Sequence, residues 1–347
     1  ERSNSNISRS LQGMVPGLNI TFSDGKPSRT PSINLRGTGS IGAGGSALVL
    51  INGVEGDLNS VNPADVESVS VLKDASSAAI YGARGAFGVI LVTTKNATAG
   101  KTKINYNGSF SMHQRTVKTE DGIVSNGLQW TDGWYTAYLE GQEAPPGGIN
   151  NVFKYSTDWY NELVRRDADP SLDKVRVNDK GEYEYFGNTN WLDIIYKDQN
   201  YSTEHNVSIS GGNERARYYV SGRYYNQDGI YNAGDEKYTQ YNIRSKGEIQ
   251  INKSLLLENN TDVMIFRSHQ PMVMYDRQNI TRQAQHQGYP VTMEKNPDGT
   301  WTEAAVYIGW AGFVEGTSWQ KDNKLDVRNT TTLTYTPCLL YTSDAAD

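Results

Sequence analysis

The sequence has little of what thiol and metal chemistry require. Its 347 residues include a single cysteine, Cys338, and four histidines that stand far apart in the chain. One cysteine cannot form an internal disulfide, and metal sites place their histidine, cysteine and carboxylate ligands at short, characteristic spacings. We therefore expect no disulfide, no metal and no cofactor.

Long apolar runs and phosphate-binding motifs are also missing. No run of eighteen apolar residues occurs, so the sequence contains no candidate transmembrane helix. The net charge of -6 argues against a nucleic-acid partner, because phosphate binding requires a basic face. Residues 37–42 match G-x-G-x-x-G, but a dinucleotide site needs a helix there, and the next predicted element is a strand. No carboxylate pair suited to glycoside hydrolysis is evident, so we expect no enzyme.

A glycine-rich region, residues 1–100, mixes short strands with one helix. Strands are predicted over 32–36, 47–51, 66–72 and 88–94. Asn52-Gly53 predicts a turn after an apolar run. A short helix is predicted over 73–82, with Asp74 as its N-cap and Gly82 as its stop. This pattern predicts a small mixed α/β domain.

From Lys103 the pattern changes to long strands with one apolar and one polar face. In the first strand Ile104, Tyr106, Phe110 and Met112 share the apolar face. Such alternation over about ten residues is typical of outer-membrane β-barrels. Six strands are predicted: 103–115, 204–211, 215–227, 238–251, 255–266 and 325–335.

The links between these strands alternate in length. Tight turns at 212–214 and 252–254 alternate with long links at 116–203, 228–237 and 267–324. Outer-membrane barrels have short periplasmic turns and long extracellular loops, so this pattern favours a barrel over a soluble sandwich. Six strands cannot close a membrane barrel, so residues 101–337 predict an incomplete barrel.

One long link carries an aromatic stretch, residues 130–138. Its four rings belong to Trp130, Trp134, Tyr135 and Tyr138. Exposed on a loop, they could stack on sugar faces or meet a partner, or they could pack within the loop. The sequence favours neither interpretation.

Several motifs resemble the SusC/RagA type of TonB-dependent outer-membrane transporter. LQGMVPGL at 11–18 is similar to the opening of the plug, and INLRGTG at 33–39 to its strand and Arg-Gly turn. LINGV at 50–54 has Asn52 where the family commonly has Asp. The most specific block is NPADVESVSVLKDASSAAIYGARGA at 62–86, followed by GVILVTTK at 88–95.

The resemblance implies a fold and a function. A mixed α/β plug domain would be followed by antiparallel transmembrane β-barrel strands in the outer membrane of a Gram-negative bacterium, with the plug N-terminus periplasmic. TonB, with ExbB/ExbD, would pull an N-terminal segment of the plug. A SusD-like surface lipoprotein would deliver the cargo, an oligosaccharide or less commonly a peptide, across the lipid of the outer membrane.

The plug residues Arg36, Arg84, Asp74 and Tyr81 are candidates for gating contacts. Arg36 and Arg84 stand beside glycine turns, and we hypothesise that they bind polar barrel residues that face inward. Two other functions are considered: a siderophore-type TonB-dependent receptor, and a secreted carbohydrate-binding β-protein. Residues 338–347 fit no preceding pattern and resemble a translated sequencing adapter, so they are expected to be a non-native tail.

Overall fold

The computed structural model describes residues 7–13, 18–21, 31–35, 47–116, 122–149, 153, 155–272, 280–317 and 319–337. The glycine motif at 37–42, Arg36 and the expected tail at 338–347 lie outside these residues. Within the described ranges, no helix is both long and apolar enough to cross a membrane.

The N-terminal unit, residues 7–97, is a small mixed α/β structure. Helix α1 (Ile7–Leu11) precedes an antiparallel pair, β1 (Asn19–Thr21) and β2 (Ser32–Asn34). A four-stranded sheet follows in the order β4-β3-β6-β5, in which β3 and β6 are parallel. Its strands are β3 (Leu48–Ile51), β4 (Val54–Glu55), β5 (Val66–Leu72) and β6 (Val89–Thr94).

The turn predicted at Asn52-Gly53 joins β3 to β4. Asn52 has a φ of 50° and Gly53 a φ of 84°, the left-handed conformation that these two residue types tolerate best. The Asn52 side chain also donates to Thr94 Oγ1 at 2.7 Å and accepts from the Thr94 amide at 3.0 Å. The turn is therefore tied to the end of β6.

The predicted helix is shorter and less regular than expected. Helix α2 covers Ala75–Ala78 and continues as a 3-10 helix over Ala79–Gly85, which is broken at Gly82 (φ 61°, ψ -150°). Asp74 occupies the N-cap position, but its side chain makes no capping hydrogen bond.

Six antiparallel strands form one open sheet in the order β14-β13-β12-β11-β10-β7. All six predicted strands are confirmed, and several are longer than the sequence indicated. Their bounds are β7 (Gly100–Gln114), β10 (Gln199–Gly212), β11 (Ala216–Asp228), β12 (Lys237–Asn252), β13 (Leu255–Pro271) and β14 (Trp319–Tyr335).

The two faces of this six-stranded sheet differ in chemistry, as the alternation predicts. On the apolar face the side chains are exposed, among them Ile104, Phe110, Ile243, Leu325 and Leu333. On the opposite, polar face the buried side chains include Tyr219, Ser221, Arg223, Gln240, Asn242 and Arg244. The N-terminal unit lies against this polar face.

The three long links leave the same end of the sheet and contain most of the remaining helices. The first holds α3 (Gly127–Leu139), α4 (Thr157–Ala168), the hairpin β8 (Val175–Val177) with β9 (Tyr183–Tyr185), and α5 (Trp191–Ile195). The third holds α6 (Ile280–Gln287), α7 (Glu303–Ile308) and α8 (Trp310–Val314).

Apolar side chains from all three links share one core. This shared cluster contains Trp191 and Ile195 from the first link, Tyr231 from the second, and Ile280 and Phe313 from the third. Short helices are marginal by themselves, so the packing of this cluster stabilises them. The links are thus folded against one another.

Candidate functional site: the contact between the N-terminal unit and the sheet

Two short 3-10 turns of the N-terminal unit face the six-stranded sheet. Asp57 caps the first turn by accepting from the Asn59 amide at 2.9 Å, and Asn62 caps the second by accepting from the Ala64 amide at 3.0 Å. Leu58 and Val61 point into the core of the N-terminal unit. Residues 57–65, here called the anchor segment, therefore present polar groups to the sheet.

Asp65 is a deeply buried charge at the centre of this contact. It is 2% exposed, and its two carboxylate oxygens accept from Tyr219 Oη at 2.7 Å and from Ser221 Oγ at 2.6 Å. Burying a carboxylate is unfavourable unless hydrogen bonds compensate it. Hydrogen bonds to a charged group contribute about 1.5–3 kcal/mol each, so this pair fixes the anchor segment on strand β11.

Two buried amides of strand β12 hold the backbone of the anchor segment. Asn242 Nδ2 donates to the carbonyl of Ser60 at 2.7 Å, and Gln240 Nε2 donates to the carbonyl of Asn59 at 3.3 Å. A buried carbonyl without a hydrogen-bond partner is costly. These two amides therefore replace the hydrogen bonds to water that the two carbonyls lose when the anchor segment is buried.

Cationic side chains of the sheet complete the contact. Lys324 Nζ lies 3.1 Å from Asp57 Oδ2, and Arg328 Nη2 donates to Ser60 Oγ at 2.9 Å. Arg244 Nη1 donates to the Lys95 carbonyl at 3.1 Å, just beyond the end of β6. In these contacts the sheet supplies the cations and the N-terminal unit supplies the acceptors.

The arginine part of the contact is only partly satisfied. Arg244 pairs with Asp262 at 3.3 Å, yet its Nη2 has no hydrogen-bond partner among the described residues, and the same holds for Nε and Nη1 of Arg328. Arg328 also lies so close to Gly56 that a Cβ there would be 2.5 Å from Nη1. A partly satisfied network is weaker than a complete one, so Asp65 holds more firmly than the arginines.

The residues proposed for gating lie elsewhere in the N-terminal unit. Arg84 pairs with Glu55 of β4, and both side chains are largely exposed. Tyr81 is partly buried against the small core of Leu50, Ala78 and Val89. Asp74 is exposed at the start of α2. Arg36 lies outside the described residues, and a gating role for these four stays a prediction.

The aromatic stretch at 130–138 forms the helix α3 rather than an irregular loop. Trp130 and Tyr135 pack against a hydrophobic cluster that contains Trp159, Phe186 and Val291. Trp134 is different because it is 46% exposed, with its ring 5.2 Å from that of Phe153. Trp130 and Tyr135 thus serve the packing of the link, and Trp134 remains accessible at its edge.

Charged and phenolic groups fix helix α4 beside this cluster. Arg165 donates to Glu162 at 2.6 Å, and Arg166 donates to it at 2.7 Å. These hydrogen bonds, that from Arg165 foremost, lower the pKa of Glu162 to about 2. Tyr160 donates to Asp132 at 2.7 Å, and this bond, with burial, raises the pKa of Tyr160 to about 12.

The sequence does contain a signal for the anchor segment. Asp65 lies inside the block 62–86, and Tyr219 and Ser221 alternate with apolar residues on β11. Polar residues on the inward face of a strand need partners, but the sequence alone does not show which segment supplies them.

Comparison with known proteins agrees with this architecture. The family model described as "TonB-dependent Receptor Plug Domain" matches residues 1–89. TonB-dependent receptor P3 of Formosa agariphila is 30% identical over 247 residues, covering 71% of this chain and 20% of the relative. TonB-dependent receptor SusC of Bacteroides thetaiotaomicron is 32% identical over 231 residues, covering 63% and 19%.

A solved structure is similar over both parts of the fold. The structure of the RagAB peptide transporter has a TM-score of 0.58 and 27% identity, and covers 77% of this chain and 30% of that chain. The chain spans about a fifth of the length of the curated relatives it matches. From the plug model, these relatives and the shared plug-and-sheet architecture, the chain belongs to the SusC/RagA-type TonB-dependent receptors.

Proposed function

We propose that the protein imports a nutrient actively across the outer membrane, with TonB supplying the energy and the N-terminal unit acting as the plug. The plug domain would extend over residues 1–100 and the barrel strands over 101–337. The observation that supports this most directly is the polar anchor on the inward face of a sheet whose other face is apolar and exposed.

A polar contact suits a plug that must hold and then yield. Hydrogen bonds such as that from Asn242 to Ser60 can be exchanged for bonds to water, so their net contribution is about 0.5–1.5 kcal/mol each. An apolar contact of the same size would expose apolar area to water on opening. The described contact can therefore open in small steps.

The proposed cargo is an oligosaccharide. Trp134 supports this choice, since its accessible ring has the flat apolar face on which sugars stack. A peptide is the second candidate, because the similar RagAB structures are described as those of a peptide importer. A SusD-like surface lipoprotein is the proposed partner that delivers either cargo, and ExbB/ExbD would act with TonB.

The proposed orientation follows from the links. The three long links would face the exterior and the two short turns the periplasm, as in outer-membrane barrels. The N-terminus of the plug would then be reached by TonB from the periplasm.

Uptake in cells tests the proposal. The gene that encodes this chain would be expressed with its neighbouring genes in Bacteroides thetaiotaomicron, and uptake of fluorescent oligosaccharides and peptides measured with and without TonB. We expect accumulation of an oligosaccharide that is lost when TonB is absent. Accumulation of peptides alone would show that the cargo is a peptide and not an oligosaccharide. Uptake that persists without TonB would refute active import.

A further inference from the structure

Positively charged side chains collect at one end of the exposed, apolar face of the six-stranded sheet. Lys237 of β12, His269 of β13 and Lys321 of β14 stand directly opposite one another in the strand register. Arg267 is two residues nearer the middle of β13 and therefore on the same face. These four residues, the cationic rim, form one group, because opposite side chains on neighbouring strands have Cβ atoms ~5 Å apart.

The cationic rim lies just beyond the apolar band of this face. The next row towards the middle of the strands consists of Tyr241, Ile265 and Leu325. From Leu325 to Tyr335 strand β14 extends ~33 Å, which at a tilt of ~40° gives a height of ~25 Å, that of the apolar band of a membrane barrel. The rim is therefore at the level of the lipid headgroups. Polar residues inside the band hydrogen-bond one another: Asn259, Thr261, Asn329 and Thr331.

Trp319 adds an aromatic ring to the cationic rim. Its side chain is 54% exposed, and Lys321 Nζ lies 4.7 Å from its ring centroid. The His269 ring is 6.0 Å from the same indole. Tryptophan is enriched at the level of the headgroups, where its ring meets both apolar chains and water. The rim thus combines the two features that a lipid headgroup contacts, cations and an interfacial ring.

The positive charge is least compensated on β13 and β14. Asp228 stands opposite Lys237, and Asp235 is in the link just before it. Arg267 and Lys321 are further from these acids, and in the described part of the chain neither forms an ion pair. Their positions are diagonal neighbours in the register, within the reach of long side chains. A single phosphate between them can therefore bind both.

The charge also distinguishes the two ends of these strands. At the other end the outward side chains are Ile251, Leu255 and Tyr335, and the short turn adds one lysine, Lys253. The rim is at the end from which the long links leave, since the third link joins the end of β13 to the start of β14. This asymmetry fits an anionic ligand that is present on one side of the membrane.

We propose that Arg267, Lys321 and Trp319 bind the phosphate-bearing headgroup of a lipid in the outer leaflet, with Lys237 and His269 beside them. The Arg267 guanidinium donates two N–H groups to the phosphate oxygens, and the Lys321 ammonium supplies a second positive charge. The acyl chains then lie on the apolar band below. The assignment to the outer leaflet rests on the orientation that the proposed function gives to the links, whereas binding of the phosphate does not.

Lipid titration of the full-length receptor in detergent tests the site. The probes are lipid A, the phosphorylated glycolipid of the outer leaflet, and lipid A from which the phosphates have been removed, and native mass spectrometry measures the bound fraction. We expect the phosphorylated form to bind more tightly. Arg267→Gln with Lys321→Gln should weaken its binding roughly tenfold or more, and Trp319→Ala about threefold. The charge-conserving pair Arg267→Lys with Lys321→Arg should restore most of the affinity.

The matched control removes two lysines elsewhere. Lys180→Gln with Lys253→Gln changes the net charge equally, at an exposed hairpin and at the opposite end of the sheet, and should leave the affinity within about twofold of the parent. Equal binding of both lipids by the parent would overturn the proposal, because the acyl chains alone would then be recognised. A loss as large in the control as in the Arg267 and Lys321 pair would also overturn it, since any surface charge would then serve.

The side of the membrane is tested separately in cells. Lys180 lies between β8 and β9, in the first long link. Lys180→Cys in a cysteine-free background should react with a membrane-impermeant maleimide in intact cells. Reaction only after the outer membrane is permeabilised would overturn both the proposed orientation and the outer-leaflet lipid. Absence of TonB-dependent uptake would refute the proposed function alone, because the lipid titration does not involve transport.

Discussion

Tyr219 donates a hydrogen bond of 2.7 Å to Asp65, although 154 residues separate the two in the chain. The bond joins the segment before β5 to the third strand of the six-stranded sheet in order along the chain. Ser221, two residues later on the same face, binds the second carboxylate oxygen. Both oxygens of Asp65 are therefore bound only when the N-terminal unit is docked on the sheet.

Tyr219→Phe removes one of these two donors. We expect it to destabilise the docked N-terminal unit by about 1–3 kcal/mol, because the buried carboxylate loses a hydrogen bond. Urea titration followed by protease digestion of the N-terminal unit measures this. The control is Tyr218→Phe on the opposite face, where the hydroxyl pairs with Thr102 at an exposed site and the cost should be smaller. Equal costs for the two changes would contradict the importance of Asp65.

Gly56→Ala tests the close approach of Arg328. The new Cβ would lie 2.5 Å from Nη1 of Arg328 and 2.9 Å from Cδ1 of Ile51, so both side chains must move. Overpacking of this kind costs about 1–3 kcal/mol and should weaken the bond from Arg328 to Ser60. Thermal unfolding of the purified protein measures it. Gly133→Ala is the comparison, since a Cβ there meets nothing within 4 Å and should stabilise α3 by up to about 1 kcal/mol.

Glu162→Gln tests the electrostatics of helix α4. The folded state lowers the pKa of Glu162 from 4.5 to about 2, so its contribution to stability is present above pH 4.5 and is lost as the pH falls towards 2. The substitution should therefore cost about 1–3 kcal/mol at pH 7 and little at pH 2. Tryptophan fluorescence during urea unfolding at both pH values measures this, and a cost independent of pH would exclude the ion pairs as its cause.

Trp134 and Trp159 should respond differently to alanine. Trp159 is 3% exposed and stacks on Tyr155 with ring centroids 3.9 Å apart, so Trp159→Ala should destabilise the first link by about 3–5 kcal/mol. Trp134→Ala should change stability by less than about 1 kcal/mol. It should weaken oligosaccharide binding by roughly threefold to tenfold, or about 0.5–1.5 kcal/mol. Calorimetry with the cargo and thermal melts separate the effects; unchanged binding would exclude Trp134 as a sugar contact.

The six strands could be predicted because each has one apolar and one polar face. An alternation with period two is visible in the sequence without any knowledge of tertiary contacts. Leu325, Val327 and Leu333 of β14, for example, lie on the exposed apolar face as their spacing indicates. Strand ends were less accurate, because residues such as Lys321 and Asn323 continue the backbone pairing without continuing the apolar pattern.

The helices of the links were not predicted, because their stability comes from contacts between segments far apart in the chain. Helix α5 has five residues, and its Trp191 and Ile195 are buried by α6, α7 and α8. The partners at the anchor are equally non-local. Arg84 looked suitable for a contact with the sheet, yet it pairs with Glu55 of β4, 29 residues earlier in the chain.

The shared cluster has a consequence for how such a receptor can change its specificity. Trp191, Tyr231 and Phe313 come from three different links but fill one core. Recombination that exchanges one link alone would leave a mismatched interior, whereas exchange of all three would keep it. Variation among descendants of this protein should therefore be inherited as a set of three links. Engineered chimeras should be joined in the strands, not within the links.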